Sequence, residues 1–165
     1  MTPEYLESIK LIERLHRQFL EVVKAELDRL GIADINNVQS LILWNIGSED
    51  LTVGDLTNRG YYLGSNVSYN VKKMVENGYL MQERSSHDRR SVRLRLSKKG
   101  LALTEHIAQM FNRHDELLAT RQLAAKRLGD ANTTLRDLER MWSDALAFPQ
   151  RGLAPAPSAA TSTAA

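Results

Sequence analysis

Two strand-like runs, Tyr79–Arg84 and Ser91–Leu96, flank the tip Asp88-Arg89-Arg90, and two short helical segments lie immediately upstream. Short helices followed directly by a two-stranded hairpin have few ways to bury their apolar side chains together. The arrangement that does so is a helix-turn-helix with the hairpin laid against it as a wing. The hairpin is strongly basic. Residues 84 to 99 hold seven Arg or Lys (84, 89, 90, 93, 95, 98, 99) against one acid, Asp88. Val92, Leu94 and Leu96 alternate with Arg93 and Arg95, so one face packs inward and the other carries guanidinium groups. The segment Ser85–Arg90 is too long for a two-residue turn and reads as an exposed loop tip.

The second helix is expected over Ser65–Asn77, closed by Gly78, with Val67, Val71, Met74 and Val75 on one stripe. Ser65, Asn66, Ser68, Tyr69, Asn70, Lys72 and Lys73 are left for its other faces. A short polar helix beside a basic hairpin is suited to a phosphate backbone and base edges. These seven residues, with Arg84, Asp88, Arg89 and Arg90, are therefore the candidate DNA contacts. The first helix of the pair starts at Thr52. Asp55 three residues on makes a capping box, and Val53, Leu56 and Tyr61 are candidates for the inward face.

The flanking segments are longer. Leu6, Ile9, His16, Phe19, Leu20, Val23, Leu27 and Leu30 recur at helical spacing, giving a helix over Tyr5–Leu30 stopped by Gly31. A helix over Val38–Ile46 follows, capped by Asn36 or Asn37 and ended by Gly47. After the hairpin, Ser97 caps a helix whose first turn carries Lys98 and Lys99. Two lysines there oppose the helix dipole, and a nearby phosphate is one reason for them. Gly129 or Asp130 is expected to break the helical run. Leu135, Leu138, Trp142 and Leu146 mark a last helix. Pro149 ends the fold, and the Ala/Pro/Ser/Thr-rich stretch 149–165 is expected to be disordered.

Charge and composition narrow the functional classes. The net charge is only +2, because the first helix balances six acids against five bases between Glu4 and Arg29, so the positive charge is local. There is no cysteine, which excludes disulfides and thiol-based sensing. His16, His87, His106 and His114 show no tight ligand spacing, and no metal or cofactor is expected. No phosphate-cradling loop or catalytic triad pattern is present, so an enzyme is not expected. Neither a signal peptide nor a membrane-spanning run is visible. The expected compartment is the cytoplasm, in association with the nucleoid.

The ordered set Leu51-Thr-Val-Gly-Asp-Leu-Thr57, Val67 to Leu80, His87-Asp-Arg-Arg-Ser-Val92 and Leu96-Ser-Lys-Lys-Gly100 resembles the MarR family of bacterial transcription regulators. The resemblance covers about Tyr5 to Phe148. It matches the family's Asp-x-Arg wing with Asp88 and Arg90, and its strand-to-helix junction with Leu96 to Gly100. It implies a mainly α-helical winged helix-turn-helix domain over 1–148, with dimerisation helices at about 5–30 and 100–147 and the winged part at about 36–98. It implies a homodimer that binds double-stranded DNA at a pseudo-palindromic, A·T-rich operator. The second helix would lie in the major groove. Arg90 would enter the minor groove, oriented by Asp88, with Arg89 on the backbone. It further implies a repressor released by a small aromatic effector, for which His16, Phe19, Trp44 and Phe111 are the candidate contacts. All four also fit a plain core. An activator with the same DNA contacts, or a winged module that binds protein, are the alternatives. The turn Gly60-Tyr61-Tyr62-Leu63-Gly64-Ser65-Asn66 departs from the usual family pattern, with Gly64 where a basic residue is common. This turn looks like that of alphaproteobacterial members tied to cell-envelope or stress genes.

Overall fold

The computed structural model describes residues 2–58, 64–84, 92–120 and 125–148, apart from the side chains of 58, 64–66 and 84. Helix α1 spans Pro3–Arg29, two residues earlier at its start than the apolar period indicates, because Pro3 is well suited to a first helical turn. Gly31, at φ 68°, follows its end. Helix α2 spans Asn37–Ile46. Asn36 is its cap: Gln39 N donates to Asn36 Oδ1 at 2.8 Å, and Asn36 N donates to Gln39 Oε1 at 3.1 Å. This reciprocal pair settles the choice between Asn36 and Asn37. Asn37 instead ties α2 to α1, donating through Nδ2 to Leu20 O at 3.0 Å.

A short strand β1, Leu51–Thr52, precedes helix α3, Val53–Asn58. The strand is absent from the sequence expectation, since two residues cannot display a period. Thr52 and Asp55 form the expected box: Asp55 N donates to Thr52 Oγ1 at 3.0 Å and Thr52 N donates to Asp55 Oδ2 at 2.8 Å. Helix α4 spans Gly64–Glu76, followed by β2, Leu80–Arg84, and β3, Val92–Leu96. The antiparallel sheet has the order β1-β3-β2, with Leu51 opposite Leu94 and Leu80 opposite Leu96. Within β3, Leu94 and Leu96 are buried while Arg93 and Arg95 are exposed, as the alternation requires. Gly78, at φ 75°, lets the chain leave α4 and enter β2 at once.

Helix α5 spans Lys98–Thr120. Ser97 caps it, accepting from Gly100 N at 3.1 Å and donating to Gly78 O at 2.6 Å. The junction is tight: a Cβ on Gly100 would lie 2.3 Å from Tyr79 O, so only glycine fits. Helix α6 spans Ala125–Ala147 and runs straight through Gly129 and Asp130, which corrects the expected break. A single interior glycine costs about 1 kcal/mol in a helix, which the surrounding Ala, Lys, Arg and Leu residues offset.

The chain divides into two compact units, residues 1–114 and 115–165. The core of the first is continuous. Val23 and Leu27 of α1, Ile42 and Leu43 of α2, Leu56 of α3, Val67, Val71 and Met74 of α4, Leu94 of β3, and Leu103, Ile107 and Met110 of α5 are all buried in one cluster. In the second unit, no described residue of α6 is fully buried.

Candidate nucleic-acid interface

Helical geometry assigns the faces of α4. At about 100° per residue, the buried stripe Val67, Val71 and Met74 leaves Tyr69, Lys72, Lys73 and Glu76 on the opposite side. Tyr69 stands near the middle of this outward face and is 61% exposed. Ser68 is exposed on one flank. Asn70 differs from its expected place: half-buried, its Oδ1 accepts from Gln39 Nε2 at 3.1 Å, which turns the amide toward α2. Ser65 and Asn66 belong to the first turn of α4 by backbone. Their side chains lie outside the described residues, as do the whole of Asp88, Arg89 and Arg90 and the side chain of Arg84, whose backbone closes β2 opposite Val92.

The cations on this surface are not equally available. Lys73 Nζ lies 2.9 Å from Glu76 Oε2 and Lys72 Nζ 3.9 Å from Glu76 Oε1. The Lys73 ammonium holds the Glu76 carboxyl below its ordinary range, and Glu76 in turn raises Lys73. The two lysines share this one counter-charge. On the sheet, Arg95 pairs with Glu83. Arg93 is exposed on the same face as Arg95.

Lys99 has a different role from the one its position suggested. Its Nζ bonds Asp34 Oδ2 and Asn77 O and sits 4.1 Å from the Tyr79 ring centroid. Tyr79 donates its hydroxyl to Asp34 Oδ1 at 2.7 Å. Lys99 and Tyr79 together hold the Asp34 carboxyl below its usual range, and burial pushes the Tyr79 phenol up. Thus the lysine that opposes the α5 dipole is accounted for by an acid in the α1–α2 loop, with no need for a phosphate. The signal for this pair was the unfavourable lysine itself; its partner, far away in sequence, was not readable.

Three of the four candidate effector contacts meet. Phe19 of α1 stacks on Phe111 of α5 with centroids 6.1 Å apart, and Trp44 of α2 meets Phe111 edge-on at 5.1 Å. Phe19 and Trp44 are each 37% exposed, so this aromatic seam is open at its outer side. His16 stays outside it: it is exposed, one turn before Phe19. A second feature escaped sequence reasoning. Glu26 of α1 is buried and receives Arg29 through Nε at 2.9 Å and Nη2 at 2.7 Å, and Arg113 of α5 through Nη2 at 2.7 Å. Its carboxyl is lowered to about 2, chiefly by the Arg29 hydrogen bonds. Its placement between Val23 and Leu27 in the apolar stripe was the available clue. Among the described residues, no group of His, Cys, Asp or Glu could hold a metal ion, and no helix is long and apolar enough to cross a membrane.

A helix-turn-helix, a three-stranded wing sheet and long flanking helices together define a winged-helix protein of the kind that binds DNA. Residues 35–100 match the family model described as a winged helix DNA-binding domain. The chain is 36% identical over 144 residues to the exopolysaccharide II synthesis transcriptional activator ExpG of Rhizobium meliloti (strain 1021), across 87% of this chain and 74% of that protein. Solved structures that share the fold include AbsC, a MarR family transcriptional regulator from Streptomyces coelicolor (TM-score 0.70, 16% identity, 87% of this chain and 97% of that one), and Streptococcus pneumoniae FabT in complex with DNA (TM-score 0.64, 19% identity, 85% and 98%). The chain belongs to the MarR family of winged-helix regulators.

Proposed function

We propose that this protein is a homodimer that binds a pseudo-palindromic, A·T-rich operator, with α4 in the major groove and the wing at the adjacent minor groove. The observation that carries the reading is the outward face of α4, where Tyr69 stands exposed beside Lys72 and Lys73, next to a sheet whose outer face carries Arg93 and Arg95. In this reading Tyr69, Ser65, Asn66 and Ser68 face bases and sugars. Lys72, Lys73, Arg84 and Arg89 face phosphates. Arg90 enters the minor groove, held by Asp88. The protein works in the cytoplasm, on the nucleoid.

Substitutions at the wing test this arrangement by sign. Asp88→Ala weakens operator binding although it removes a negative charge near DNA, and Arg90→Ala weakens it and lowers the preference for A·T-rich flanks. Tighter binding by Asp88→Ala in anisotropy titrations would show that the wing is only an electrostatic clamp.

The direction of regulation has two readings. The family resemblance suggested a repressor released by a small ligand, and the open aromatic seam of Phe19, Trp44 and Phe111 supports a small aromatic effector. The similarity to ExpG, by its name a transcriptional activator of exopolysaccharide synthesis, favours activation and the cell-envelope branch of alphaproteobacteria. Transcript levels of the genes beside a footprinted operator, in cells with and without the protein, separate the two. Loss of transcript on deletion supports activation.

A further inference from the structure

An open cleft of about 460 Å³ lies between the α1–α2 loop and the first turns of α5, apart from both the α4 face and the aromatic seam. Ile32, Ala102 and Leu103 give it aliphatic walls, and Asp34, Lys99 and His106 bring charge and polarity to its lining. We propose that this cleft binds a short aliphatic carboxylate, whose head competes with Asp34 for the Lys99 ammonium.

Three observations point to that chemistry. The Lys99–Asp34 pair is half exposed, at 48% and 49%, so it can open to an incoming anion at small cost. The walls beside it are alkyl, and the face of Tyr79, the aromatic ring in the lining, is already covered by Lys99, which leaves an aliphatic body as the complement. His106 is half-buried in the wall and makes no hydrogen bond to any described residue, so its ring nitrogens remain for a bound molecule. A cleft of this size with an apolar body and few polar groups fits a small-molecule site.

The latch that a carboxylate would open also touches the chain at the end of α4. Asp34 O accepts from Asn77 Nδ2 at 2.5 Å, just past the end of α4, and Lys99 bonds Asn77 O. Drawing the Lys99 ammonium onto a bound carboxylate also pulls it from Asn77 O, which loosens the seat of α4 and lowers duplex affinity. This consequence rests on the DNA-binding reading above, whereas occupation of the cleft does not.

The test follows the His106 imidazole resonances of the full chain by NMR during titration with hexanoate, with hexylamine and inorganic phosphate as controls. Hexanoate is expected to shift His106 saturably, and neither control to do so. Asp34→Asn, which frees Lys99, tightens hexanoate by up to about five-fold, the value of a half-exposed ion pair. Ala102→Phe, at an exposed position on the cleft wall, abolishes the shift. If Asp34→Asn loses its fold, Ala102→Phe carries the test alone. The proposal is overturned if His106 does not respond, if it responds equally in Ala102→Phe, or if hexylamine or phosphate acts like hexanoate. Duplex titrations with and without hexanoate then read the coupling. Weaker binding in the parent with no change in Ala102→Phe supports it. Unchanged affinity of the hexanoate-bound parent contradicts it, and a parent that binds no duplex at all contradicts the DNA reading instead.

Discussion

Glu26 shows how a single side chain can set the pH range of the fold. Its carboxylate is buried against α5 and satisfied by two guanidinium groups, which is the condition for burying such a charge. The folded carboxyl has a pKa of about 2 against an ordinary 4.5. Since the folded value is depressed, its stabilisation is complete above pH 4.5 and is lost as the pH falls from 4.5 toward 2. Glu26→Gln should cost about 1–3 kcal/mol at pH 7, the range for losing charge-assisted hydrogen bonds to a buried group. The gap in melting temperature between parent and variant should close over that acidic window. A gap that persists unchanged at pH 3 would mean that the carboxylate charge is not what holds α1 to α5. At this scale the sequence was least informative. Lys99 and Asn70 were read as contacts for DNA and Glu26 drew no reading, yet each has a partner far away in the chain. Periodicity reports which face a residue occupies, not what stands opposite it.

Elements were far more legible, because their signals are local. The Asn36–Gln39 and Thr52–Asp55 boxes, the Ser97 cap and the glycine after α4 all stand where side-chain chemistry demands a helix end. The alternation in β3 gave the buried and solvent faces of the wing correctly. The failures are equally physical. Strand β1 is too short to carry a pattern, and Gly129 was read as a stop although nothing near it requires a positive φ. Gly129 is open to a direct test. A Cβ on Gly129 would meet no atom within 4 Å, and the residue sits inside α6. Gly129→Ala should therefore stabilise the helix by about 0.5–1 kcal/mol, visible as a higher melting temperature or greater helicity by circular dichroism. A loss of stability would place a true break at this position.

For the whole molecule, the candidate interface was legible as a class and only partly as geometry. The outward face of α4 follows from its apolar stripe, but Glu76 as the shared counter-ion of Lys72 and Lys73 does not. Apolar residues left uncovered in one chain point to assembly. Leu15 of α1 is 58% exposed, Leu117 of α5 53% and Leu146 of α6 81%. Stripes of this kind are usually buried against another copy. Sedimentation at micromolar protein should give about twice the 18.6 kDa chain mass. A monomer throughout that range would remove the basis for a two-fold operator.

Reading of duplex DNA by α4 and the wing can be measured directly. The parent, Tyr69→Ala and Lys73→Ala are titrated by fluorescence anisotropy against the intergenic DNA flanking the gene and against a scrambled duplex, at several salt concentrations. The parent should prefer the native DNA by at least about a thousand-fold and lose affinity steeply with salt. Tyr69→Ala should weaken the native complex more than the scrambled one. Lys73→Ala should weaken both alike and lower the salt slope by about one unit per lost phosphate contact. Equal affinity of the parent for both duplexes, or binding indifferent to salt, would mean that α4 and the wing do not read duplex DNA.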